Sequence, residues 1–233
     1  MVLHIGHRGT AGTAPENTLV SFKRALAIGA DGVEFDIHRT RDGEFVVMHD
    51  FSIERCTNGT GVIADMTASE IRQYDAGSWK GPEFAGERVP TLTELVEALP
   101  APFKLFLELK AGSYRYPGIE ADLARFILER GLEDRLQVSS FDHEALLRLR
   151  QLAPSIQTGM LYQLRPVDPI GMARACGATA LHPNWACISA AQVAAAHAAG
   201  LQVNVWTVNT PEAVATCKAL GVDGMMSDFP ERL

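Results

Sequence analysis

Short apolar runs alternate with amphipathic segments along almost the whole chain. Runs rich in β-branched and other apolar residues predict strands at 2–6, 32–38, 45–48, 104–109, 136–140, 157–161, 179–182, 201–206 and 223–226. Between most of them, apolar residues recur at helical spacing and predict helices near 17–29, 67–74, 91–98, 118–130, 142–151, 168–176, 189–199 and 210–220. Capping residues mark several helix starts: Thr91 before Glu94, Ser189 before Gln192, and Thr210 before Pro211.

The repeated strand–helix units predict an α/β fold, a closed (β/α)8 TIM barrel formed by a single domain over 1–233. An open, doubly wound sheet is the alternative, but the chain has neither a GxGxxG motif nor a P-loop to support a nucleotide-binding version of it. Residues 50–90 break the alternation, because they are rich in Gly, Thr and Asp and are longer than a usual connection. We expect them to form an insertion over the top of the barrel.

Composition is that of an ordinary globular protein, with 47% hydrophobic and 21% charged residues. The net charge of −7 argues against a general binder of nucleic acid or anionic membranes, although a few local cations can still hold an anionic substrate. The four cysteines form no CxxC motif, so reduced thiols are expected. We find no signal-peptide pattern and no apolar run of the roughly 18 residues that span a membrane, and we therefore expect a cytoplasmic location.

Acidic residues stand two apart on the second predicted strand. Glu34 and Asp36 would share one face of that strand, with the apolar residues beside them on the other face. Glu108 lies near the end of the 104–109 strand, at the same end of the predicted barrel. Three carboxylates form an all-oxygen set suited to Mg²⁺ or Ca²⁺. The alternative is that each carboxylate pairs with a nearby cation such as Arg8 or Lys110.

Two histidines end strand-like runs on either side of these acids. His7 follows the first strand and His49 follows the 45–48 run. Histidine gains and loses a proton near neutral pH, so this pair could act as general base and general acid. A lone histidine more often has a structural role, and that interpretation is preferred for His4, His38, His143 and His197.

Other polar and aromatic residues at predicted strand ends complete a candidate binding site. Arg8 offers a planar fork of donors for phosphate oxygens, and Lys110 offers a compact charge. Lys110 could instead form a Schiff base as in barrel aldolases, but neighbouring carboxylates would keep it protonated. Trp206, Phe141 and His182 could line the pocket, with plain core packing as the alternative.

Together these residues resemble the glycerophosphodiester phosphodiesterases over nearly the whole chain. The resemblance rests on HRG at 7–9, PENT at 15–18, the ExD of VEFDIH, HD at 49–50, TNGTG and MT in the insertion, VPTLTEL at 89–95, LELK at 107–110, SSF at 139–141, WTVN at 206–209 and SDFP at 227–230. It implies a TIM barrel with a small subdomain inserted after the second strand. It also implies metal-dependent hydrolysis of glycerophosphodiesters to an alcohol and sn-glycerol 3-phosphate, a small-molecule reaction.

The resemblance also implies a role for each matched position. The metal ligands would be Glu34, Asp36 and Glu108, the acid–base pair would be His7 and His49, Arg8 and Lys110 would hold the phosphate, and Trp206 would flank the substrate. The insertion would cover the glycerol end. Glu16 and Asn17 would support Arg8 or the metal ligands, with helix capping as the alternative. The SDF ending differs slightly from the family's more usual threonine–aspartate, but the aspartate remains.

Three other functions fit parts of this pattern. A related barrel phosphodiesterase could act on lysophospholipids or phosphoinositides, although the insertion is too mixed to show the apolar rim that such lipids need. A phosphate-ester binding module would not need two histidines, and an aldolase or isomerase would depend on Lys110. No recognisable motif specifies the head group, the choice between Mg²⁺ and Ca²⁺, the role of each histidine, a cyclic-phosphate intermediate or the oligomeric state.

Overall fold

A computed structural model describes residues 2–233. These residues form nine strands: β1 (Leu3–His7), β2 (Gly32–Arg39), β3 (Phe45–Val47), β4 (Lys104–Leu109), β5 (Leu136–Ser140), β6 (Gln157–Tyr162), β7 (Ala180–Pro183), β8 (Gln202–Val205) and β9 (Gly224–Ser227). Every predicted strand is present, with bounds that match or differ by one residue. The cysteines are free, in agreement with the expected reduced thiols.

Eight α-helices separate these strands. They are α1 (Leu19–Ala27), α2 (Ala68–Ile71), α3 (Leu92–Ala98), α4 (Ile119–Glu129), α5 (His143–Leu152), α6 (Pro169–Cys176), α7 (Ala190–Ala198) and α8 (Pro211–Leu220). The predicted caps are confirmed, because Thr91 with Glu94 and Ser189 with Gln192 each form a capping box. None of the helices described between residues 2 and 233 combines the length and apolar character needed to cross a membrane.

Eight of the strands close into a parallel barrel. They pair in the order β1-β2-β4-β5-β6-β7-β8-β9, and β9 pairs again with β1. Because helices follow these strands on the outside, the predicted TIM barrel is confirmed. The 45–48 run supplies β3, which pairs antiparallel with the end of β2 and is not one of the eight barrel strands.

Side-chain alternation on β2 separates the core from the barrel interior. Val33, Phe35 and Ile37 are fully buried in the apolar layer between the strands and the surrounding helices. Glu34 and Asp36 alternate with them and therefore face the inside of the barrel. Fully burying one such apolar side chain stabilises the fold by about 1.5–3 kcal/mol, which fixes the register of β2 and so the direction of both carboxylates.

The segment between β3 and α3, residues 48–91, has a small apolar core of its own. Ile53, Ile63 and Ile71 are fully buried there. Two long side chains fasten this β3–α3 segment to the barrel elements. Arg72 makes a two-pronged ion pair with Glu94 of α3, and Lys80 donates through Nζ to the backbone oxygen of Ala11, 2.6 Å away.

Candidate active site

The three predicted carboxylates converge at the carboxyl end of the barrel. Glu34 and Asp36 come from β2, and Glu108 of β4 lies beside Asp36 in the strand register. One oxygen from each of the three carboxylates lies within 4.8 Å of the other two. All three residues are at least nine-tenths buried. The structure therefore brings these three residues together, as the sequence predicts.

Two cationic side chains lie against these carboxylates. Lys110 Nζ is 2.7 Å from Glu108 Oε1 and 3.4 Å from Asp36 Oδ1. Arg8 Nε is 3.4 Å from Asp36 Oδ2, and the Arg8 backbone N–H donates to Glu34 Oε2 at 3.1 Å. The ion pairs considered as an alternative to a metal site are thus present, but they set two cations against three carboxylates.

The imbalance of charge appears in the pKa values of the carboxyl groups. Burial raises the pKa of Glu34 to about 8, and the charge on Asp36 adds to that rise. Burial and Asp36 likewise raise the pKa of Glu108 to about 7. For Asp36, burial acts upward, but Lys110 and Arg8 outweigh it and hold the pKa well below its usual range. A further cation would favour the ionised form of all three groups.

The donor set fits a hard divalent cation. All three side chains offer oxygen, which Mg²⁺ and Ca²⁺ prefer. Asp36 Oδ1 is buried and accepts no hydrogen bond, although buried carboxylate oxygens are normally paired. Its nearest cation is Lys110 Nζ at 3.4 Å, so this oxygen has room to bind a metal ion. The residues present therefore suit a resident Mg²⁺ or Ca²⁺.

His7 is held from the side opposite the cavity. Its Nδ1 is 2.6 Å from Asp228 Oδ1, while its Nε2 is 3.9 Å from Glu34 Oε2. Asn209 fixes Asp228 in turn, donating from Nδ2 to Oδ2 at 2.6 Å and accepting from the Asp228 backbone N–H. Burial would lower the pKa of His7, but the hydrogen bond with Asp228 and the charge of Glu34 outweigh it, so the pKa is raised.

His49 is held in a similar way by a different carboxylate. Its Nδ1 is 2.6 Å from Asp50 Oδ1, and its backbone oxygen lies 3.1 Å from His38 Nε2. Burial lowers the pKa of His49, and the charges of Arg8 and Lys110 add to this against the opposing charge of Asp36. Each histidine thus has one ring nitrogen bound to an aspartate, which fixes the ring and leaves the other nitrogen for chemistry.

A cavity of about 170 Å³ joins the two histidines to the charged residues. It is lined on its polar side by His7, Arg8, Glu34, His49, Glu108 and Lys110, and elsewhere by Ser139, Phe141, Leu161, Gln163, Trp206 and Met226. The rings of Phe141 and Trp206 stand nearly perpendicular, with centroids 5.7 Å apart. The predicted pocket position of both aromatic residues agrees with this lining.

The turn after β1 explains the HRG motif. Arg8 has a φ of 51°, in the left-handed region that a non-glycine residue seldom adopts. Its backbone oxygen accepts hydrogen bonds from the Asn17 N–H and from Ser21 Oγ, which hold the turn. A Cβ added to Gly9 would fall 2.3 Å from Ser21 Oγ, so only glycine fits there. The turn aims the Arg8 side chain into the carboxylate cluster.

Glu16 and Asn17 of the PENT motif contact two residues of the site. Glu16 Oε1 is 2.8 Å from Arg8 Nη1. Asn17 Nδ2 donates to Asp36 Oδ2 at 2.8 Å. The cap of α1 is Thr18, so neither residue is needed for helix capping.

His182 is the one predicted pocket residue that the structure does not bring to the cavity. Its side chain is fully buried inside the barrel, where Nε2 lies 2.7 Å from Gln137 Oε1 and 3.2 Å from Asn204 Nδ2. Burial lowers its pKa to about 3, so the ring is neutral. His182 touches the site only through its backbone oxygen, which accepts from Trp206 Nε1 at 2.8 Å.

The sequence analysis assigned no role to four residues that hold the histidines and Arg8, although three of them belong to its HD, WTVN and SDFP motifs. They are Asp50, Arg55, Asn209 and Asp228. Asp50 follows His49 directly, and Asp228 follows the last strand, so position alone could have suggested both. Arg55 lies inside the predicted insertion without a periodic pattern, and nothing in the sequence links it to Glu16, 39 residues earlier.

Comparison with known proteins gives one consistent result. The sequence profile of the glycerophosphoryl diester phosphodiesterase family matches residues 7–232. The chain is 42% identical to a glycerophosphodiester phosphodiesterase of Caldanaerobacter subterraneus subsp. tengcongensis, covering 99% of this chain and 96% of that protein. It is 36% identical to a glycerophosphodiester phosphodiesterase of Bacillus altitudinis, covering 97% and 94%. The solved structure of an Oleispira antarctica phosphodiesterase in complex with its product sn-glycerol-3-phosphate matches with a TM-score of 0.87 at 33% identity, covering 98% and 93%.

Proposed function

The chain belongs to the glycerophosphoryl diester phosphodiesterase family and is a phosphodiesterase, and we propose that it uses a divalent cation and two histidines to hydrolyse glycerophosphodiesters to an alcohol and sn-glycerol 3-phosphate. One observation carries the proposal. His7 and His49, each bound through Nδ1 to an aspartate, line a single cavity with Arg8, Lys110 and two of the three carboxylates, Glu34 and Glu108. Binding alone would need no pair of oriented histidines, which argues against a pure binding module.

Glu34, Asp36 and Glu108 would hold Mg²⁺ or Ca²⁺. When bound, such a cation neutralises charge on phosphate oxygens and lowers the pKa of a hydroxyl beside it. The raised pKa values of Glu34 and Glu108, together with the Asp36 oxygen that accepts no hydrogen bond, support this assignment. The raised pKa values and the Asp36 oxygen both indicate that the positive charge nearby does not balance the three carboxylates.

Arg8 and Lys110 would bind the phosphate group. Burial would lower the pKa of Lys110, but Asp36 and Glu108 outweigh it, and the pKa is raised. Lys110 is therefore a permanent ammonium, which argues against a Schiff-base role and for a charge that stabilises the anionic transition state. Glu16 holds the Arg8 guanidinium and leaves donors free for phosphate oxygens.

The two histidines would move the protons of the reaction. A neutral histidine that donates Nδ1–H to an aspartate presents an Nε2 lone pair, which suits a general base. One histidine accepts the proton of the attacking water, or of the attacking glycerol hydroxyl, in which case water opens the resulting cyclic phosphate in a second step. The other donates a proton to the oxygen of the departing alcohol. The matching aspartate bonds of His7 and His49 equip either ring for either task.

The test is release of sn-glycerol 3-phosphate from glycerophosphocholine and glycerophosphoethanolamine, first with EDTA and then with Mg²⁺ or Ca²⁺ restored. We expect release only when a cation is present, and the rates with the two substrates rank the head groups. Release that is equal with and without EDTA would contradict the metal assignment. Absence of release under every condition would contradict the proposed substrate.

Hydrolysis of lysophospholipids is a second candidate, favoured by exposed apolar side chains near the cavity. Tyr114 follows β4, Phe141 follows β5, and Leu164 and Val167 follow β6, all at the carboxyl ends of adjacent strands. We infer a rim for an acyl chain on these loops, away from the predicted insertion. Leu164→Ser combined with Val167→Ser should slow hydrolysis of micellar lysophosphatidylcholine but not of glycerophosphocholine. An equal effect on both substrates, or none on either, would contradict the second candidate.

Several sequence expectations accompany this proposal. A small-molecule substrate fits the cavity, and the product complex of the Oleispira antarctica relative supports that choice. The single domain over 1–233 with an insertion at about 50–90, and the cytoplasmic location, stay predictions from the sequence.

A further inference from the structure

We propose that Arg55 is a positioning residue that fixes His49 and Arg8 in one shared geometry, so that the acid–base group and the phosphate-binding group act together. This inference rests on the proposed function of the same site. It concerns a residue of the β3–α3 segment that neither lines the cavity nor belongs to any motif named above.

The Arg55 guanidinium joins two carboxylates. Its Nε and Nη2 donate to Asp50 at 2.7 and 3.1 Å. Its Nη1 and Nη2 donate to the two oxygens of Glu16, both at 2.8 Å. The planar fork of arginine matches this arrangement, whereas the single ammonium of lysine would not span both carboxylates.

Each of these carboxylates also binds a residue of the site. Asp50 Oδ1 lies 2.6 Å from His49 Nδ1, and Glu16 Oε1 lies 2.8 Å from Arg8 Nη1. A continuous chain of charge-assisted hydrogen bonds therefore runs from His49 through Asp50, Arg55 and Glu16 to Arg8. We call these five residues the Arg55 bridge.

The bridge differs from an ordinary surface ion pair. Exposed ion pairs contribute little to stability, and the Arg55 side chain is 44% exposed. Its partner Glu16 is only 11% exposed, and Glu16 has already committed one oxygen to Arg8. The value of the bridge is therefore geometric, because fixing two carboxylates fixes the ring and the guanidinium that they hold.

His7 has no equivalent link to the β3–α3 segment. Asp228 and Asn209, which hold it, lie beside β9 and β8 of the barrel itself. His49 instead lies at the start of the β3–α3 segment and is held by Asp50 and Arg55 of the same segment. The orientation of His49 is thereby coupled to the docking of that segment, and through Glu16 to the phosphate-binding arginine.

Arg55→Gln should break the bridge at its centre. We expect kcat for glycerophosphocholine to fall about tenfold, the lower end of the loss seen when a residue that orients a site group is removed. Arg55→Lys should stay closer to Arg55→Gln than to wild type, because the charge alone cannot hold both carboxylates. Recovery of the wild-type rate by Arg55→Lys would contradict the bridge.

Arg72→Gln is the matched control. Arg72 belongs to the same segment and makes a two-pronged ion pair with Glu94, far along the chain from the site residues. The kcat of this variant shows the effect of losing an ion pair that anchors the β3–α3 segment but does not contact the site. We expect kcat within about twofold of wild type in this variant. An equal loss in Arg72→Gln and Arg55→Gln would show that Arg55 only anchors the segment.

A double variant tests whether Arg55 acts through His49. In a His49→Ala background, Arg55→Gln should lower kcat by less than about threefold, since one of the two groups that Arg55 positions is absent and only the effect through Arg8 remains. A full tenfold loss in that background would contradict the proposal.

Binding of sn-glycerol 3-phosphate to the EDTA-treated protein, measured by calorimetry, is independent of turnover. Arg55→Gln should weaken it severalfold and Arg72→Gln should not. If wild type hydrolyses no glycerophosphodiester, the proposed function fails, but this comparison still decides whether Arg55 positions Arg8. Equal affinities in both variants would overturn the inference.

Discussion

Two groups of buried polar side chains occupy the same barrel, and they differ in charge. The charged cluster lies at the carboxyl end and consists of Glu34, Asp36, Glu108, Arg8 and Lys110. The neutral cluster lies deeper inside and consists of His182, Gln137 and Asn204. Both clusters lie inside the same barrel, so the difference in charge between them reflects a difference in function.

The neutral cluster keeps its groups uncharged. Burial lowers the pKa of His182 to about 3, and the three side chains hydrogen-bond one another. The charged cluster instead keeps three carboxylates beside two cations, although burying unbalanced charge is far more costly than burying amides. A fold that needed only stability would not retain such a group, which is why strongly perturbed carboxylates indicate a functional site.

The largest expected effect comes from the histidines that face the charged cluster. His7→Ala and His49→Ala should each lower kcat about 100-fold or more, since each removes a positioned proton carrier. Thermal unfolding should change little, because neither side chain belongs to the apolar core. His197→Ala is the control, because His197 lies on the surface beside Asp223. A turnover within a few-fold of wild type in either site variant would contradict the assignment.

Glu34→Gln tests the charge imbalance directly. In the unfolded chain this carboxyl titrates near its ordinary 4.5, whereas in the folded protein its pKa is about 8. The contribution of this carboxyl group to the free energy of unfolding is therefore fully present below pH 4.5 and is lost as the pH rises through 8. At pH 8 we expect the EDTA-treated variant to be more stable than EDTA-treated wild type by on the order of a few kcal/mol.

Urea unfolding between pH 4.5 and 8 measures this difference, which should shrink as the solution becomes more acidic. Added Mg²⁺ or Ca²⁺ should stabilise wild type and not the variant. A variant that is less stable than wild type at pH 8 in EDTA would show that the carboxylate is well compensated.

His182→Gln gives the smallest expected effect and tests the neutral cluster. It should lower the free energy of unfolding by about 1–2 kcal/mol at pH 8, through poorer hydrogen bonding, with kcat within twofold of wild type. The folded pKa of about 3 lies below the ordinary 6.5, so wild-type stability falls as the pH drops from 6.5 toward 3. The variant lacks this loss, and the gap in stability should narrow in acid. A large loss of kcat would show that His182 takes part in the function of the site.

The fold and the carboxylate cluster could be predicted because both follow from periodicity. Strand alternation fixes that Glu34 and Asp36 face one way, and parallel strands bring their carboxyl ends to one edge. The same reasoning misjudged the depth of His182. The sequence suggested that β7 ends at this residue, but the strand runs to Pro183 and pairing continues at Asn184, which places His182 one layer deeper in the barrel.

Residues that hold the two histidines and Arg8 were harder to predict, because they depend on pairing between distant parts of the chain. Asp228 meets His7 across 221 residues, and Arg55 meets Glu16 across 39. Contacts between residues so far apart in the sequence produce no periodic pattern from which they could be predicted. A charged residue in an irregular segment is usually a solvated surface group, and only the folded geometry shows that Arg55 is more than that.

Titration of Mg²⁺ and Ca²⁺ into the EDTA-treated protein, followed by calorimetry, tests most directly whether the charged cluster is a cation site. The account predicts one bound cation per chain in wild type and loss of that binding in a variant carrying Asp36→Asn and Glu108→Gln. The same titration of His182→Gln should match wild type. Absence of cation binding in wild type, or unchanged binding in the double variant, would contradict the account.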